Sequence, residues 1–487
     1  MTELGDTIAE LESQLAGASG DDARRIADVL ARLGSALEAA GHYDRALSLL
    51  ERARLLFEKH GDASGVARTM NGLGAVLESM NRLDEARSVL ERALALAQSI
   101  EDRSVEATSL NNLGLVDQAS GAFERADALY RRSLELLREV GDHERLALTM
   151  SNLGQLLERS ARHDDAGAVY EQALAIHEQL GDRAGLARTR NNLGYLLERR
   201  GRPSRAVAHY EKALAEQLEI GDDRSLIATR ENLASVYRKL ARHTDSREQL
   251  RRVASHHEAV GDQRAAAATL HRLAVELSDA GLFDTCRDCF DRARSMFANL
   301  DERDELALVE MDFARAWSRS GDHAAALAYG EHALALRREL GNDAHLAAAL
   351  DNLGLLHAAA GDRRTAIELI ELSLPLAERC GDDAGLRTAL CNLASMCEGG
   401  KLFERALDYY ERALPLVERA GARDEIAAVL DSLGWLYWAC NHLESAITFT
   451  TRALAMYEED GVTDKVAELQ ARLEKIVGGH GDPSGDN

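Results

Sequence analysis

The stretch Asn191-Asn192-Leu193-Gly194 returns, with small changes, every forty residues along this chain of 487 residues. Its second half is a large apolar residue followed by Gly or Ala, and it keeps its spacing through eleven blocks without an insertion or deletion. The apolar residues of these pairs are Leu33, Leu73, Leu113, Leu153, Leu193, Leu233, Leu273, Phe313, Leu353, Leu393 and Leu433. A fixed period of about 20–50 residues is the signature of stacked structural repeats. The sequence therefore predicts one repeat array instead of the several compact domains that its length alone would suggest.

Each block contains two helical segments separated by turn residues. In the block that holds the quoted stretch, Gly181 is placed to end one helix in a left-handed conformation, and Asp182 can cap the next helix. The first helix is predicted over residues 183–199 and the second over 204–219, with Pro203 where the first turn of a helix tolerates proline. The blocks are therefore predicted to be helix pairs, whose members we name helix A and helix B.

Small and aromatic residues occupy fixed places in this pair. Gly194 lies on helix A, and Ala206, Tyr210 and Ala213 follow on helix B. This pattern resembles the tetratricopeptide repeat, and the forty-residue length is similar to the longer repeats of cell-polarity adaptors, kinesin light chains and bacterial regulators. The resemblance implies an all-α fold, a right-handed α-solenoid of eleven helix pairs with a capping helix at each end. It says little about the partner.

The repeats divide the chain into four parts. The predicted parts are an N-terminal capping helix in residues 1–20, eleven repeats over 21–460, a C-terminal capping helix in 461–477 and a disordered tail over 478–487. The first helix is placed at 3–16, where apolar residues recur at helical spacing, and the last at 463–476, where a polar residue replaces the repeat's glycine. Asp21 or Asp22 is expected to cap the first repeat helix. The seventh and eighth repeats, residues 261–340, depart most from the pattern, which predicts a weaker seam there.

The composition argues against several classes of protein. The net charge is −24, which opposes non-specific binding to nucleic acid. No apolar stretch is long enough to predict a membrane span, and the N-terminus does not resemble a secretory signal. Six cysteines without a disulfide-like spacing favour a reducing compartment, so we expect a cytoplasmic protein.

No catalytic residue, cofactor or metal site is predicted. The spacing that most resembles a metal site is Cys286-x-x-Cys289 on a single helix, and it lacks a second pair of ligands. Structural zinc needs four ligands in tetrahedral reach, so the two cysteines are interpreted as small core residues.

One position of helix A is repeatedly asparagine. The members of this asparagine ladder are Asn112, Asn152, Asn192, Asn232, Asn352 and Asn392. In proteins that the repeat resembles, this position lines a concave groove. A primary amide can donate to and accept from the main chain of an extended peptide, so the ladder is predicted to bind a partner's backbone. The alternative is that each asparagine bonds a neighbouring loop or helix and stiffens the stack.

A basic segment interrupts the acidic chain. Residues 181–260 hold 16 Lys and Arg against 11 Asp and Glu, a net charge of +5. The arginines predicted to lie on helix A near the ladder are Arg188, Arg190, Arg230 and Arg238. Arg190 and Arg230 stand where most repeats have Met or Leu, which suggests a bound carboxylate or phosphate and hence an acidic segment in the partner. The alternative is that both side chains extend outward and pair with Glu198 and Glu231.

The last repeat carries two of the three tryptophans of the chain. Trp435 and Trp438 fall on the predicted groove side of helix A, where tryptophan would anchor a partner. The alternative is that they cover the core beneath the last capping helix.

Together these features predict a scaffold or adaptor that holds an extended segment of another protein or a peptide in its groove. The alternative function is a regulator that senses a peptide and changes the shape of the array. The sequence also leaves self-association open.

Overall fold

The computed structural model describes residues 2–17 and 23–478, which form 24 α-helices and no β-strand. Asp21 and Asp22, one of which was expected to cap the first repeat helix, lie outside the described residues, as does the predicted disordered tail after Gly478. The chain divides into two compact units, residues 1–253 and 254–487. The predicted all-α fold of stacked helix pairs is confirmed.

The helices follow one another with short turns throughout the described residues. The first unit contains α1 (Thr2–Gly17), α2 (Ala23–Ala39), α3 (Tyr43–Lys59), α4 (Ala63–Ser79), α5 (Leu83–Ser99), α6 (Arg103–Ala119), α7 (Phe123–Val140), α8 (His143–Arg159), α9 (His163–Leu180), α10 (Arg183–Arg199), α11 (Pro203–Ile220), α12 (Asp223–Lys239) and most of α13 (His243–Ala259). The second unit contains α14 (Gln263–Asp279), α15 (Phe283–Asn299), α16 (Arg303–Ser320), α17 (His323–Leu340), α18 (Asp343–Ala359), α19 (Arg363–Cys380), α20 (Asp383–Gly399), α21 (Phe403–Ala420), α22 (Arg423–Ala439), α23 (Leu443–Glu459) and α24 (Thr463–Val477). Helix A of each repeat has an even number from α2 to α22, and helix B has an odd number from α3 to α23.

Local signals set the helix ends as the sequence predicts. Gly181 has φ +67°, the left-handed conformation that glycine adopts without strain. The Asp182 side chain then accepts a hydrogen bond from the backbone N–H of Gly185 at 2.9 Å, which caps α10. Pro203 is the first residue of α11, where its missing N–H costs no helical hydrogen bond.

The two terminal helices bury one face each. Leu11 of α1 is 3% exposed and belongs to the same buried cluster as Leu33 of α2 and Leu50 of α3. At the other end, Leu469 of α24 is fully buried with Leu430 of α22. Both helices therefore cover apolar surface of the neighbouring pair.

Three A helices of the first unit place a glycine against a tyrosine of helix B. The pairs are Gly114 with Tyr130, Gly154 with Tyr170, and Gly194 with Tyr210. All three tyrosines are 0% exposed. A Cβ atom on Gly194 would stand 2.7 Å from Cε1 of the Tyr210 ring, closer than such atoms approach in proteins. The glycine is therefore required by the close approach of the two helices, as the repeat pattern predicts.

The buried tyrosines should make the fold sensitive to alkali. Burial raises the pKa of Tyr130, Tyr170 and Tyr210, and it raises the pKa of Tyr410 in the second unit to about 12. An unfolded tyrosine ionises near pH 10, so above that pH the unfolded state binds fewer protons than the folded state. The stability contributed by these neutral tyrosines is complete below about pH 10 and is lost as the pH rises through the raised pKa values.

A combined alkaline titration checks this prediction. Phenolate absorbance that develops above about pH 11 should rise together with the loss of helical circular dichroism, because the buried tyrosines ionise only when the helices separate. If all of the phenolate absorbance develops while the helical signal is unchanged, the tyrosines are not protected and the prediction is wrong.

The seventh and eighth repeats are filled by aromatic side chains. Phe290 of α15 stacks on Phe313 of α16 with ring centroids 4.8 Å apart, and Phe313 lies 4.6 Å from the ring of Tyr329. Gly330 replaces the usual aromatic residue of helix B, and Leu353 of α18 fills the space, with Cδ1 2.9 Å from where a Cβ would stand. The weaker seam that the sequence predicts at these repeats stays a prediction.

Candidate partner-binding face

The asparagine ladder lies on one face of the A helices, which we name the A-helix face. All six ladder asparagines are half-buried there. Their side chains are therefore accessible in part, and their hydrogen bonds decide how much of each amide remains for a partner.

In the first unit the ladder connects consecutive repeats. The side-chain amide of Asn112 donates to the backbone oxygen of Asn71 at 3.4 Å. Asn152 donates to Asn111 Oδ1 at 3.0 Å, and Asn232 donates to Asn191 Oδ1 at 3.3 Å. Each acceptor lies one repeat earlier, so these bonds tie neighbouring A helices together. The structure thus uses the amide N–H groups as the alternative interpretation proposed. A role for the carbonyl oxygens in binding a partner stays a prediction.

Asn192 differs from its neighbours in the ladder. Its Nδ2 atom is buried and has no hydrogen-bond partner among the described residues. Asn191, the residue before it, instead accepts from Thr229 at 3.2 Å and from Asn232. Asn192 therefore does not tie its helix to the preceding repeat through its amide N–H, as the other ladder asparagines of the first unit do.

In the second unit Asn392 borders a cavity of about 390 Å³ between α20, α21 and α22. The cavity passes Ser395 and reaches Tyr410 and Val417 of helix B. Asn392 Nδ2 donates to Asp351 Oδ2 at 3.3 Å, and no described residue donates to its Oδ1 atom. The cavity therefore has an apolar floor and a free hydrogen-bond acceptor in its wall.

Asn352 borders a second cavity, of about 370 Å³. Its Nδ2 atom donates to the backbone oxygen of Ala348 at 2.8 Å within its own helix. Phe290 and Leu356 supply apolar walls, and Arg315 lies at the side, paired with Asp312. Arg319 and Asp279 also line this cavity and pair with each other, so its four charged residues already satisfy one another.

Two exposed side chains that the sequence analysis did not single out extend the A-helix face. Tyr195 is 45% exposed and Leu355 is 40% exposed. Each follows a ladder asparagine by three residues, a spacing that puts two side chains on the same side of a helix. The same register position holds Trp435 in the last repeat, so the spacing was a signal from which these residues could have been found.

Arg190 does not lie beside the ladder, and the prediction that it does is wrong. Its guanidinium forms ion pairs with Glu178 of α9, at 3.1 Å, and with Glu216 of α11. Both partners belong to B helices, and the Arg190 side chain is 15% exposed. Asn192 is two residues away, which places it on roughly the opposite side of the helix.

Arg230 is also directed inward. It is 6% exposed, its Nη1 atom is 3.5 Å from Gln249 Oε1, and its buried Nε atom has no described hydrogen-bond partner. Burial lowers the pKa of Arg230. Both side chains are largely buried, so the alternative interpretation, in which they extend outward, is wrong as well.

The other two predicted arginines are exposed. Arg188 stands two residues before Arg190, in the first half of α10, and Arg238 lies in the last turn of α12. They occupy opposite halves of their A helices, so the structure does not assemble the four arginines into one anion site.

The two tryptophans are half-buried. The Trp435 ring meets the edge of Phe403 of α21, with centroids 5.2 Å apart. Part of Trp435 therefore covers the core, and the remaining part faces solvent. A role for Trp435 and Trp438 as anchors of a partner stays a prediction.

The two cysteines whose spacing most resembles a metal site lie in the core. Cys286 and Cys289 are buried, and burial raises the pKa of Cys286 to about 11, which leaves its thiol protonated and unreactive. The described residues contain no group of three His, Cys, Asp or Glu side chains placed to hold a metal ion.

The fold defines an all-α protein built of repeated helix pairs. The tetratricopeptide repeat family matches residues 20–99, 105–179, 159–215, 305–379, 345–419 and 385–459. The chain belongs to the tetratricopeptide repeat family, as the sequence predicts. Repeats of this family generally mediate protein–protein interaction and are typically non-enzymatic.

Several solved structures are similar in fold. Nearly identical TPR-like repeats assigned to a Podosopora anserina kinesin light chain share 18% identity over 41% of this chain and 98% of that one, with a TM-score of 0.36. The apo form of RapI shares 16% identity over 56% of this chain and 98% of its own, with a TM-score of 0.40. A signal transduction ATPase with a tetratricopeptide repeat sensor, from Pyrococcus horikoshii, shares 14% identity over 64% of this chain and 51% of its own, with a TM-score of 0.44. No curated protein matches the sequence.

Within residues 2–17 and 23–478, no helix combines the length and the hydrophobicity needed to cross a lipid bilayer.

Proposed function

We propose that this chain is a non-enzymatic scaffold that binds an extended segment of a partner protein along its A-helix face. The ladder asparagines would bond the partner's main chain, and the spaces between A helices would receive its side chains. This arrangement follows the general mode in which backbone hydrogen bonds supply affinity and side-chain pockets supply specificity. Six cysteines without disulfide bonds favour the cytoplasm as its place of action.

The cavity at Asn392 is the observation that carries the proposal. Its volume of about 390 Å³ is within the range of small binding sites, about 300–1,000 Å³. Val417 and Tyr410 at its floor favour an apolar or aromatic side chain of the partner. Asn392 Oδ1 is free to accept from the N–H of the same partner residue, so one residue would be held at both its backbone and its side chain.

The proposal predicts that filling this cavity abolishes peptide binding. Ser395 is exposed at the cavity, and the equivalent place in the next repeat holds Trp435, so Ser395→Trp should fold normally while its indole occupies the space. Asn392→Ala should weaken binding about tenfold, since one hydrogen bond to the partner contributes about 1–2 kcal/mol. The measurement is fluorescence polarisation with peptides selected from a random display library on the full chain.

Asn299→Ala is the matched control, because Asn299 is an exposed asparagine of the same unit that lies outside both cavities. It should bind the selected peptides as the wild type does. Urea unfolding of each variant separates lost binding from lost stability. Peptides that bind Ser395→Trp and Asn392→Ala as tightly as they bind Asn299→Ala would overturn the proposal.

A further inference from the structure

The positive charge of residues 181–260 is concentrated at the turns that join helix A to helix B. Residues 197–205 and 237–245 hold seven Lys and Arg against two Asp and Glu, and their net charge of +5 equals that of the whole segment 181–260. In each of the other nine repeats, the equivalent nine residues have a net charge between −2 and +1. The charge therefore belongs to one edge of the repeats and not to the A-helix face.

The two basic turns are neighbours in the first unit, beside the turn that follows α8. Lys239 Nζ lies 2.6 Å from Glu198 Oε1, which links the turn after α12 to the turn after α10. Arg200 Nη2 lies 2.6 Å from Asp164 Oδ1, which links the turn after α10 to the turn after α8. The basic side chains of consecutive turns therefore form one continuous edge.

Most of the cations on this edge are accessible. The exposed basic residues, which we name the basic edge, are Arg199, Arg202, Arg205, Arg238, Lys239 and Arg242. Among them, Arg202, Arg205 and Arg238 form no ion pair with any described residue. Arg199 is 51% exposed and lies 3.9 Å from Glu158, a distance at the limit of an ion pair. These guanidinium groups keep their donors free for a ligand, in contrast to the inward-directed Arg190 and Arg230.

We propose that the basic edge docks a short carboxylate-rich segment of a partner protein. Arginine binds carboxylate through two parallel hydrogen bonds, so three unpaired guanidinium groups in adjacent turns are suited to successive Asp or Glu side chains. This surface is separate from the cavities of the second unit, and the proposal does not depend on binding at the A-helix face.

The dimensions of the edge favour a short segment. Packed helices lie about 8–10 Å apart, so two adjacent repeats give an edge of roughly 20 Å. An extended peptide advances about 3.3 Å per residue, so roughly six residues span this distance.

The charge of the rest of the chain argues against a long polyanion. Outside residues 181–260 the chain carries −29. The screening length at physiological salt is about 8 Å, so a nucleic acid that extends beyond the edge meets this negative surface. An acidic peptide of a few residues does not, which is why we choose a polypeptide partner over nucleic acid.

Fluorescence polarisation with a labelled peptide of about eight glutamates tests the proposal in roughly 0.1 M salt, where charges more than about 10 Å apart are largely screened. The edge variant combines Arg202→Glu, Arg205→Glu and Arg238→Glu in the full chain. We expect it to bind the peptide at least tenfold more weakly than the wild type. Raising the salt should weaken wild-type binding and leave the variant unchanged.

A matched variant controls for total charge. Arg52→Glu, Arg92→Glu and Arg138→Glu change the charge by the same amount at exposed arginines that form no ion pair with a described residue, on the B helices α3, α5 and α7. This control should bind the glutamate peptide within about twofold of the wild type, because the substituted residues lie away from the edge.

Each other outcome overturns the proposal. Equal loss in the edge and control variants would mean that only net charge matters. Tighter, edge-dependent binding of a single-stranded oligonucleotide of about 20 nucleotides would assign the edge to nucleic acid. Self-association of the wild type in sedimentation, abolished in the edge variant, would assign it to a second copy of the chain. Wild-type binding of a glutamine peptide of equal length with the same affinity would show that carboxylates are not recognised.

Discussion

Replacing Arg294 by alanine should lower the free energy of unfolding by about 3 kcal/mol, because it leaves a buried carboxylate without its main partner. Glu310 stands in the slot that most repeats fill with Leu or Met, and it is 0% exposed. Arg294 Nε donates to Glu310 Oε1 at 2.8 Å, and His332 Nδ1 lies 3.1 Å from the same oxygen. Glu310 Oε2 already lacks a hydrogen-bond partner among the described residues, so little remains to compensate for the lost arginine.

Two further variants make this expectation specific. Arg292 lies on the same helix as Arg294, and Arg292→Ala removes its solvent-accessible pairs with Glu258 of α13 and Asp288, which should cost less than about 1 kcal/mol. The double variant Arg294→Leu/Glu310→Leu should unfold within about 1 kcal/mol of the wild type, because an apolar pair replaces both buried charges. Urea unfolding and amide hydrogen exchange of α15 to α17 would measure these effects. If Arg294→Ala is no less stable than Arg292→Ala, the pair does not hold this part of the unit together.

The second large effect is expected at Gly194, the last residue of the stretch Asn191-Asn192-Leu193-Gly194. Gly194→Val would place Cβ 2.7 Å from the ring of Tyr210, and the branched methyl groups would need still more room. Tyr210 is fully buried and cannot turn into solvent, so the two helices must separate. Overpacking of this kind costs about 1–3 kcal/mol, and we expect a value near the upper limit.

Gly167→Ala is the matched control for this substitution. The nearest atom to its added Cβ is Leu196 Cδ2 at 3.7 Å, an ordinary contact. Because alanine favours a helix over glycine by up to about 1 kcal/mol, this variant should be as stable as the wild type or more stable. Urea unfolding followed by circular dichroism compares the two. Equal midpoints for Gly194→Val and the wild type would contradict the close contact.

Most of the fold was predictable because each repeat encodes its own helix ends and contacts. Gly181 and Asp182 define one boundary through local backbone chemistry, which needs no knowledge of distant residues. Gly194 and Tyr210 mark a contact inside one repeat, and the fixed period copies it along the chain. Local signals and tertiary packing therefore favour the same structure, and this consistency is why the fold can be predicted from the sequence.

The placement of Arg190 failed for a reason already present in the helix geometry. Residues two positions apart on an α-helix do not face each other, so Arg190 cannot lie beside Asn192. Its actual partners, Glu178 and Glu216, lie on two B helices. Which residues pair with Arg190 therefore depends on how neighbouring helix pairs pack. A count of the net charge at each repeat position would have shown that the positive charge lies at the turns and not on helix A.

The hydrogen bonds of the ladder could not be predicted from the asparagines alone. Asn152 donates to Asn111 of the preceding repeat, and this bond exists only because the two A helices approach closely enough. The sequence allowed two roles for the ladder, binding a partner's backbone or stiffening the stack. The distance between consecutive A helices decides which amide atoms already form hydrogen bonds. The remaining carbonyl oxygens, such as Oδ1 of Asn392, are the part of the ladder that a partner can still bind.

The glycine–tyrosine contacts have a consequence for how the chain can change its length. Both members of each contact are encoded within one block of forty residues, so a duplicated block carries a complete helix-pair core with it. Gain or loss of a whole block also preserves the register of every other repeat, whereas gain or loss of a few residues inside a helix would misalign glycine and tyrosine. Gain or loss of entire blocks is therefore the tolerated route to a longer or shorter array, and insertions of a few residues should be tolerated only in the turns.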